Sequence, residues 1–239
     1  MSKISITENQ ENGDNLLYVQ SSMSELFTQS NSRVEFLFTS GRAVLNVDCP
    51  ECYADILQME ICDRVAEIIV IGYKYSFFKK RVKIAGLSSE EKEILYTSLI
   101  AADLEDDKRY TFDRIKKSKE LTIDGIYNFR LLPLQRKWED VASYLPQCFL
   151  KSQLKEFICY LLENKRKRVY VDQGRVYDSH YRRLKRSSLY GEDRLNIIRE
   201  VLLSNCGEVE LNGSIPKEDE IYLKEYYKDK IRFSVDGYN

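Results

Sequence analysis

The hydrophobic repeat of this chain changes along its length, and that change constrains the fold more than any other feature. Near the start, the apolar runs 34–38 and 43–47 flank a Thr-Ser-Gly-Arg turn, a pattern typical of a β-hairpin. From about residue 50 to 165, apolar residues recur at helical spacing, and after 168 short β-like runs alternate with helical stretches. We therefore predict an α+β fold with an N-terminal β-containing segment, a helical middle and a small C-terminal α/β unit.

Local signals indicate individual elements within this frame. Ser88 followed by Glu91 is a capping-box pattern, which predicts a helix to about residue 106. The C-terminal unit is expected to contain a β-hairpin around 172–175, followed by a strand, a helix at 217–227 and a last strand at 231–235. Since strands and helices alternate there, we expect the strands to be parallel.

The stretch 121–163 joins a short β-like segment, 123–130, to two amphipathic helices. Phe129 and Trp138 are large aromatic residues, and we expect both to hold this stretch onto the core. Cys159 lies among apolar residues of the second helix, which favours a small core residue. These patterns indicate a structural role for the stretch.

Two blocks within that stretch also carry a family resemblance. They are Gly-Ile-Tyr-Asn-Phe-Arg-Leu at 125–131 and Leu-Lys-Glu-Phe-Ile-Cys-Tyr-Leu-Leu at 154–162. Together with weaker blocks in the same order, over roughly 60–234, they resemble the YtxC-like family of endospore-forming bacteria. The resemblance implies a role in sporulation, and it implies no catalytic residues.

The positions at which the hydrophobic pattern changes divide the chain into three predicted segments. Residues 1–15 are polar and lack the apolar stretch of an export signal, so we expect a disordered tail. Residues 16–165 are expected to form the N-terminal and helical region, and residues 166–239 the α/β unit. No apolar run approaches the roughly 18 residues that span a membrane, so we expect a cytoplasmic protein without a transmembrane segment.

The charge of the chain is nearly balanced overall but uneven locally. The net charge is −1, so the whole-chain field favours neither nucleic acid nor a basic partner, and it leaves self-association open. The stretch 165–186, in contrast, holds nine basic residues and two aspartates, with tyrosines interleaved. The basic residues are Lys165, Arg166, Lys167, Arg168, Arg175, Arg182, Arg183, Lys185 and Arg186.

This basic stretch has two interpretations. Guanidinium groups bind phosphates and tyrosines stack on bases, so the stretch is a candidate surface for nucleic acid or another phosphate-bearing ligand. Alternatively, it is a solvated face paired with acidic surfaces such as 105–107, or it meets an acidic protein or an anionic membrane.

Cysteine chemistry gives a further alternative. Cys49 and Cys52 form a CxxC at a predicted helix start, where backbone amides stabilise a thiolate, so a redox or metal site is available. A structural zinc site needs two further ligands, and the only histidine, His180, is distant in sequence. We therefore expect six free thiols and no metal, and we expect no His-based catalytic triad.

These observations predict a binding or regulatory protein. We expect a sporulation-associated cytoplasmic protein without catalysis or cofactor, whose partner is another protein or a second copy of itself. Nucleic-acid binding through 165–186 and thiol chemistry at Cys49 and Cys52 remain the alternatives. No glycine-rich phosphate-binding motif is present to indicate a nucleotide site.

Overall fold

A computed structural model describes residues 1–118, 120–190 and 194–233, and it has the predicted α+β fold. The strands are β1 (Ser2–Asn9), β2 (Arg33–Thr39), β3 (Arg42–Cys49), β4 (Leu121–Thr122), β5 (Arg168–Asp172), β6 (Arg175–Tyr177), β7 (Arg183–Leu184), β8 (Glu208–Asn212) and β9 (Ile231–Phe233). The α-helices are α1 (Asp14–Ser22), α2 (Ser24–Gln29), α3 (Ala54–Glu67), α4 (Lys74–Arg81), α5 (Ser89–Ile115), α6 (Ile123–Arg130), α7 (Leu132–Tyr144), α8 (Lys151–Leu162), α9 (Asn196–Leu203) and α10 (Lys217–Tyr227). A π-helix, Ile68–Tyr73, joins α3 to α4.

The chain divides into two compact units that are not successive in sequence. The first comprises Met1–Lys74 and Glu105–Ser143, and the second comprises Tyr75–Leu104 and Tyr144–Asn239. The predicted division at residue 165 therefore differs from the observed one. The reason is that α8, which we assigned to the region before residue 165, packs against α10 of the second unit.

The first unit is built on a four-stranded sheet in the order β2-β3-β1-β4. Antiparallel pairing joins β2 to β3 and β3 to β1, whereas β4 pairs in parallel with β1. Alternate residues of β1, including Ile4 and Ile6, are buried, and α1 and α3 contact this strand. The predicted hairpin is confirmed, with Ser40 and Gly41 at φ 49° and 75° as a two-residue turn requires.

Two sequence predictions for this unit are wrong. Residues 2–9, expected in a disordered tail, form β1, because pairing with β3 and burial of Ile4 and Ile6 stabilise an otherwise polar segment. The segment 123–130, expected to be β-like, is helix α6, in which Ile123 and Ile126 are buried three positions apart. Only Leu121–Thr122 pairs as a strand there.

Several side chains lie on other faces than we expected. Trp138 is fully buried, as predicted, but Phe129 is 81% exposed because it lies on the outer face of α6. Cys159 is exposed on α8, whose buried residues are Leu154, Ile158 and Leu162. The predictions for Phe129 and Cys159 are therefore wrong, since each lies beside the buried stripe of its helix and not in it.

The second unit contains a five-stranded sheet in the order β7-β6-β5-β8-β9. The strands β5, β8 and β9 are parallel, as predicted, and the hairpin of β5 and β6 is also confirmed. The helix at 217–227 has the predicted bounds, whereas β9 ends at Phe233 and the remainder of the predicted strand lies outside the described residues. No helix of the described residues is long and apolar enough to cross a membrane.

Candidate functional site

One face of the C-terminal sheet carries three of the nine predicted cations together with tyrosines of the same stretch. In β5, Val169 and Val171 are buried, so Tyr170 between them lies on the opposite face. The strand register then places side chains in one row across that face, which we call the outer face. The row runs Arg183, Tyr177, Tyr170, Glu210 and Arg232, from β7 to β9.

An aromatic stack stands on this face. The rings of Tyr170 and Tyr181 are 4.7 Å apart between centroids and 19° from parallel. Tyr181 is 69% exposed and follows β6 in a loop where its φ is 58°. One face of the Tyr181 ring therefore packs on Tyr170, and the side chain remains accessible from solvent.

The β8 side of the outer face is neutralised by ion pairs. Arg168 contacts Glu208 at 2.7 Å and Glu210 at 3.5 Å, and Arg232 contacts Glu208 at 3.1 Å. The hydrogen bond from Arg168 lowers the pKa of Glu208 and raises the pKa of Arg168 itself. These groups are thus occupied within the sheet, and Arg168 is a poor candidate for binding an external phosphate.

The opposite side of the face, formed by β6 and β7, retains accessible cations. Arg175 and Arg183 are exposed, and neither has an ion-pair or hydrogen-bond partner for its side chain within the described ranges. Lys165 and Arg166, just before β5, share this property. Burial first, and the neighbouring Arg183 second, lower the pKa of Lys185. The outer face is therefore basic at its β6–β7 side.

Two other arginines of the basic stretch are occupied locally. Arg182 donates to Asp178 across a loop turn, at 2.8 Å. Arg186 is 2.9 Å from Glu200, a carboxylate that is almost fully buried and also accepts from the backbone of Ser187 at 2.7 Å. Arg186 thus acts in folding, and Lys167 and Lys185 have further interactions within the chain. The structure reduces the nine predicted cations to a smaller accessible group.

The first unit contains a buried polar cluster that the sequence analysis missed. Lys74 donates to Asp107 at 2.6 Å, and both side chains are buried. The same carboxylate accepts from Trp138 Nε1 at 2.9 Å and from Lys137 at 2.7 Å. Despite its burial, these cations hold the pKa of Asp107 below its ordinary value. A lysine within the apolar run 68–78 was the available sequence signal for this pair.

A cavity of about 410 Å³ adjoins this cluster, between the later part of α5 and α7. Asp107 and Lys137 line it together with Tyr110, Pro133 and Leu134. Its volume lies within the range of small-molecule pockets. Its charged groups are already paired: Asp107 with Lys74 and Lys137, and Asp106 at the rim with Arg109 at 2.8 Å. The acidic surface at 106–107 thus finds partners in its own unit.

A second buried carboxylate lies on β1. Glu8 is fully buried and accepts from the Tyr73 hydroxyl at 2.9 Å and from Asn15 at 3.1 Å. Burial raises the pKa of Glu8 above its ordinary value, and burial beside Glu8 raises the pKa of Tyr73. The π-helix ends at Tyr73, so Tyr73 and the following Lys74 reach two different buried carboxylates.

The two candidate thiols, Cys49 and Cys52, differ in solvent exposure. Cys49 is buried at the end of β3, whereas Cys52 is exposed in the short helical turn that follows. Burial raises the pKa of Cys49, so its thiolate is disfavoured. Within the described residues, no group of three or more His, Cys, Asp or Glu side chains could hold a metal. His180 is exposed, and its backbone N–H donates to Asp178 at 2.8 Å.

Comparisons with protein-family models, curated proteins and solved structures gave no match to this chain. The fold and the arrangement of side chains described above are therefore the basis for inferring its function.

Proposed function

We propose that this chain is a binding protein that contacts single-stranded nucleic acid through the outer face of its C-terminal sheet. The observation that carries this proposal is the exposed Tyr181 ring stacked on Tyr170, beside the accessible cations Arg175 and Arg183. Stacking on aromatic rings and contacts from cations to the backbone are the two interactions that single-strand binders combine. The proposal involves no catalytic step.

The distribution of charge supports a single strand over a duplex. The cations of β6 and β7 lie on one side of the tyrosines, while the carboxylates Glu208 and Glu210 lie on the other. A duplex presents phosphates along two strands and hides its bases, so it would also lie across the side where the cations are already paired with Glu208 and Glu210, without gaining a stacking contact. A single strand can follow the basic side and place an unpaired base on Tyr181.

The cellular context remains part of the proposal. The resemblance to the YtxC-like family would place this binding in the cytoplasm of a sporulating cell, with a regulatory role. That context depends on the blocks quoted above alone, whereas the binding surface depends on the structure. The two parts of the proposal can therefore fail separately.

Fluorescence anisotropy of labelled single-stranded DNA and RNA tests the binding. We expect affinity to fall steeply between low and near-physiological salt, because phosphate contacts release counterions. The double variant Arg175→Gln, Arg183→Gln should weaken binding at low salt by about tenfold or more and reduce the salt slope by roughly 1.4, or 0.7 for each lost contact.

A matched control removes two charges elsewhere. Lys117 and Arg136 are exposed in the first unit. Their replacement by Gln lowers the net charge equally but leaves the sheet intact, so it should change affinity far less. Equal effects of the two double variants, or no binding at low salt, would exclude the outer face as a nucleic-acid interface.

A further inference from the structure

We propose that two copies of this chain associate through strand β2, edge to edge, to form one continuous sheet across a two-fold axis. In the first unit β2 is the outermost strand, and no strand of the described ranges pairs with its other edge. The strand is seven residues long and apolar at its centre, with Leu37 40% and Phe38 59% exposed. Long apolar edge strands are templates for pairing with another chain.

The hydrogen-bond pattern of the hairpin shows which backbone groups of β2 point to its free edge and can bond a second chain. A two-residue turn makes Thr39 and Arg42 a hydrogen-bonded pair, and hydrogen-bonded pairs recur at every second residue along β2. The residues between them, Val34, Phe36 and Phe38, therefore direct their N–H and C=O groups to the free edge. A second strand can bond all three residues only in a register that matches this alternation.

The strand is complementary to itself in one such register. With Phe36 on the two-fold axis, Phe36 lies opposite its own copy and Val34 lies opposite Phe38, so every edge-directed residue forms a hydrogen-bonded pair. Moving the two-fold axis by one residue, from Phe36 to Glu35, slides the strands by two residues and places Glu35 opposite Glu35 of the second copy, where the two carboxylates repel. The Phe36-centred register alone uses all three edge residues without opposing like charges.

On the apolar face of the sheet, this register brings apolar side chains of the two copies together. Val34, Phe36 and Phe38 pair with Val47, Leu45 and Ala43 of β3, which are fully buried. The buried face of the sheet thus continues to its edge, where Phe38 is left uncovered. In the proposed pairing, Phe38 of each copy meets Val34 of the other, so both apolar faces join. A net charge of −1 adds little repulsion between copies.

The polar face supplies a decisive experiment. The same register places Leu37 of each copy opposite Glu35 of the other, at a pair of positions where side chains approach closely. Leu37→Lys would then create two opposite-charge pairs per dimer, and Leu37→Glu two like-charge pairs. Both substitutions remove the same apolar side chain from an exposed position, so their common effect on folding and burial cancels in the comparison.

Analytical ultracentrifugation over micromolar concentrations measures the dissociation constant of each variant. We expect wild-type dimers, and we expect Kd for Leu37→Glu to exceed Kd for Leu37→Lys by at least about fourfold at low salt. As a control, Ile221→Glu and Ile221→Lys, at an exposed residue of α10, should show no such difference. A wild-type monomer at all concentrations, or equal Kd values for the two Leu37 variants, would overturn the proposed pairing.

Discussion

Lys74 and Asp107 form an ion pair in which each side chain is only 1% exposed, with 2.6 Å between Nζ and Oδ2. The carboxylate is bonded further by Trp138 and Lys137, so its desolvation is compensated by three donors. Removing one partner of a buried pair leaves an uncompensated charge, which costs far more than the pair contributes as a whole. The stability of the first unit should therefore be sensitive to substitution of Lys74.

We predict that Lys74→Met lowers the free energy of unfolding by about 3–5 kcal/mol, because Asp107 then loses its buried cation. Denaturant unfolding measures the change. Arg109→Ala is the matched control. Arg109 pairs with Asp106, which lies beside Asp107 on α5, but the side chains of Arg109 and Asp106 are both exposed. That variant should cost less than about 1 kcal/mol. Similar losses for both variants would contradict the role given to Lys74.

Glu8 should give the first unit a characteristic pH dependence. Because burial raises its pKa, the folded state binds a proton more tightly than the unfolded state does. This contribution is fully present below the unfolded pKa, about 4.3, and is lost as pH rises through the higher folded pKa. The stability of Glu8→Gln relative to wild type should therefore increase with pH in this window. A relative stability that is flat or decreases there would be inconsistent with a raised pKa.

Within the basic stretch, some residues should affect the free energy of unfolding and others the affinity for nucleic acid. Arg186→Ala should lower the free energy of unfolding by about 3–5 kcal/mol, because it leaves the buried Glu200 carboxylate without its cation. Arg183→Ala, three residues earlier and exposed, should change stability by less than about 0.5 kcal/mol while weakening nucleic-acid binding. Thermal or denaturant unfolding measures the effect on stability, and fluorescence anisotropy measures the effect on nucleic-acid binding. Loss of binding without loss of stability for Arg186→Ala would reverse the assignment.

Gly207 should be intolerant of any side chain. A methyl group there would lie 1.9 Å from the carbonyl oxygen of Lys165, where the chain enters the C-terminal sheet. We expect Gly207→Ala to cost at least about 2 kcal/mol. Gly174→Ala in the β5–β6 turn, at φ +74° with no atom within 4 Å, should cost only about 1 kcal/mol from backbone strain. Equal unfolding free energies for the two variants would contradict the close approach at Gly207.

Thiol labelling tests the alternative based on cysteine chemistry. In the native protein, Cys52, Cys148 and Cys159 are exposed and should react with a thiol reagent, whereas Cys49, Cys62 and Cys206 are buried and should react slowly. Mass spectrometry after partial labelling identifies each site. Rapid reaction of Cys49 would instead support an activated CxxC pair.

Local signals in the sequence predicted where elements begin better than where they end, since α5, expected to end at about residue 106, continues to Ile115. The Ser88–Glu91 capping box forms both of its hydrogen bonds, at 2.9 and 3.2 Å, and the two hairpins follow from their turns. Strand β1 was missed because its stability depends on partners more than thirty residues away, chiefly β3. A polar segment with two alternating isoleucines does not reveal such a partner.

The candidate site was predictable in composition but not in arrangement. The sequence located the cations and tyrosines of 165–186, but the partners that occupy Arg168 and Arg186 are Glu208 and Glu200, contributed by β8 and α9. The row of side chains on the outer face exists only once the strand register is known. The buried pair likewise depends on a contact between distant positions, Lys74 at the start of α4 and Asp107 on α5.

Locating bound nucleic acid on the protein tests the proposed interface directly. We would titrate a short single-stranded oligonucleotide into isotope-labelled protein and follow tyrosine ring and arginine side-chain resonances by NMR. We predict the largest shifts on the outer face, at Tyr170, Tyr177, Tyr181, Arg175 and Arg183, with little change at Arg136 in the first unit. Saturable shifts centred elsewhere, or no shifts at low salt, would contradict the proposed interface.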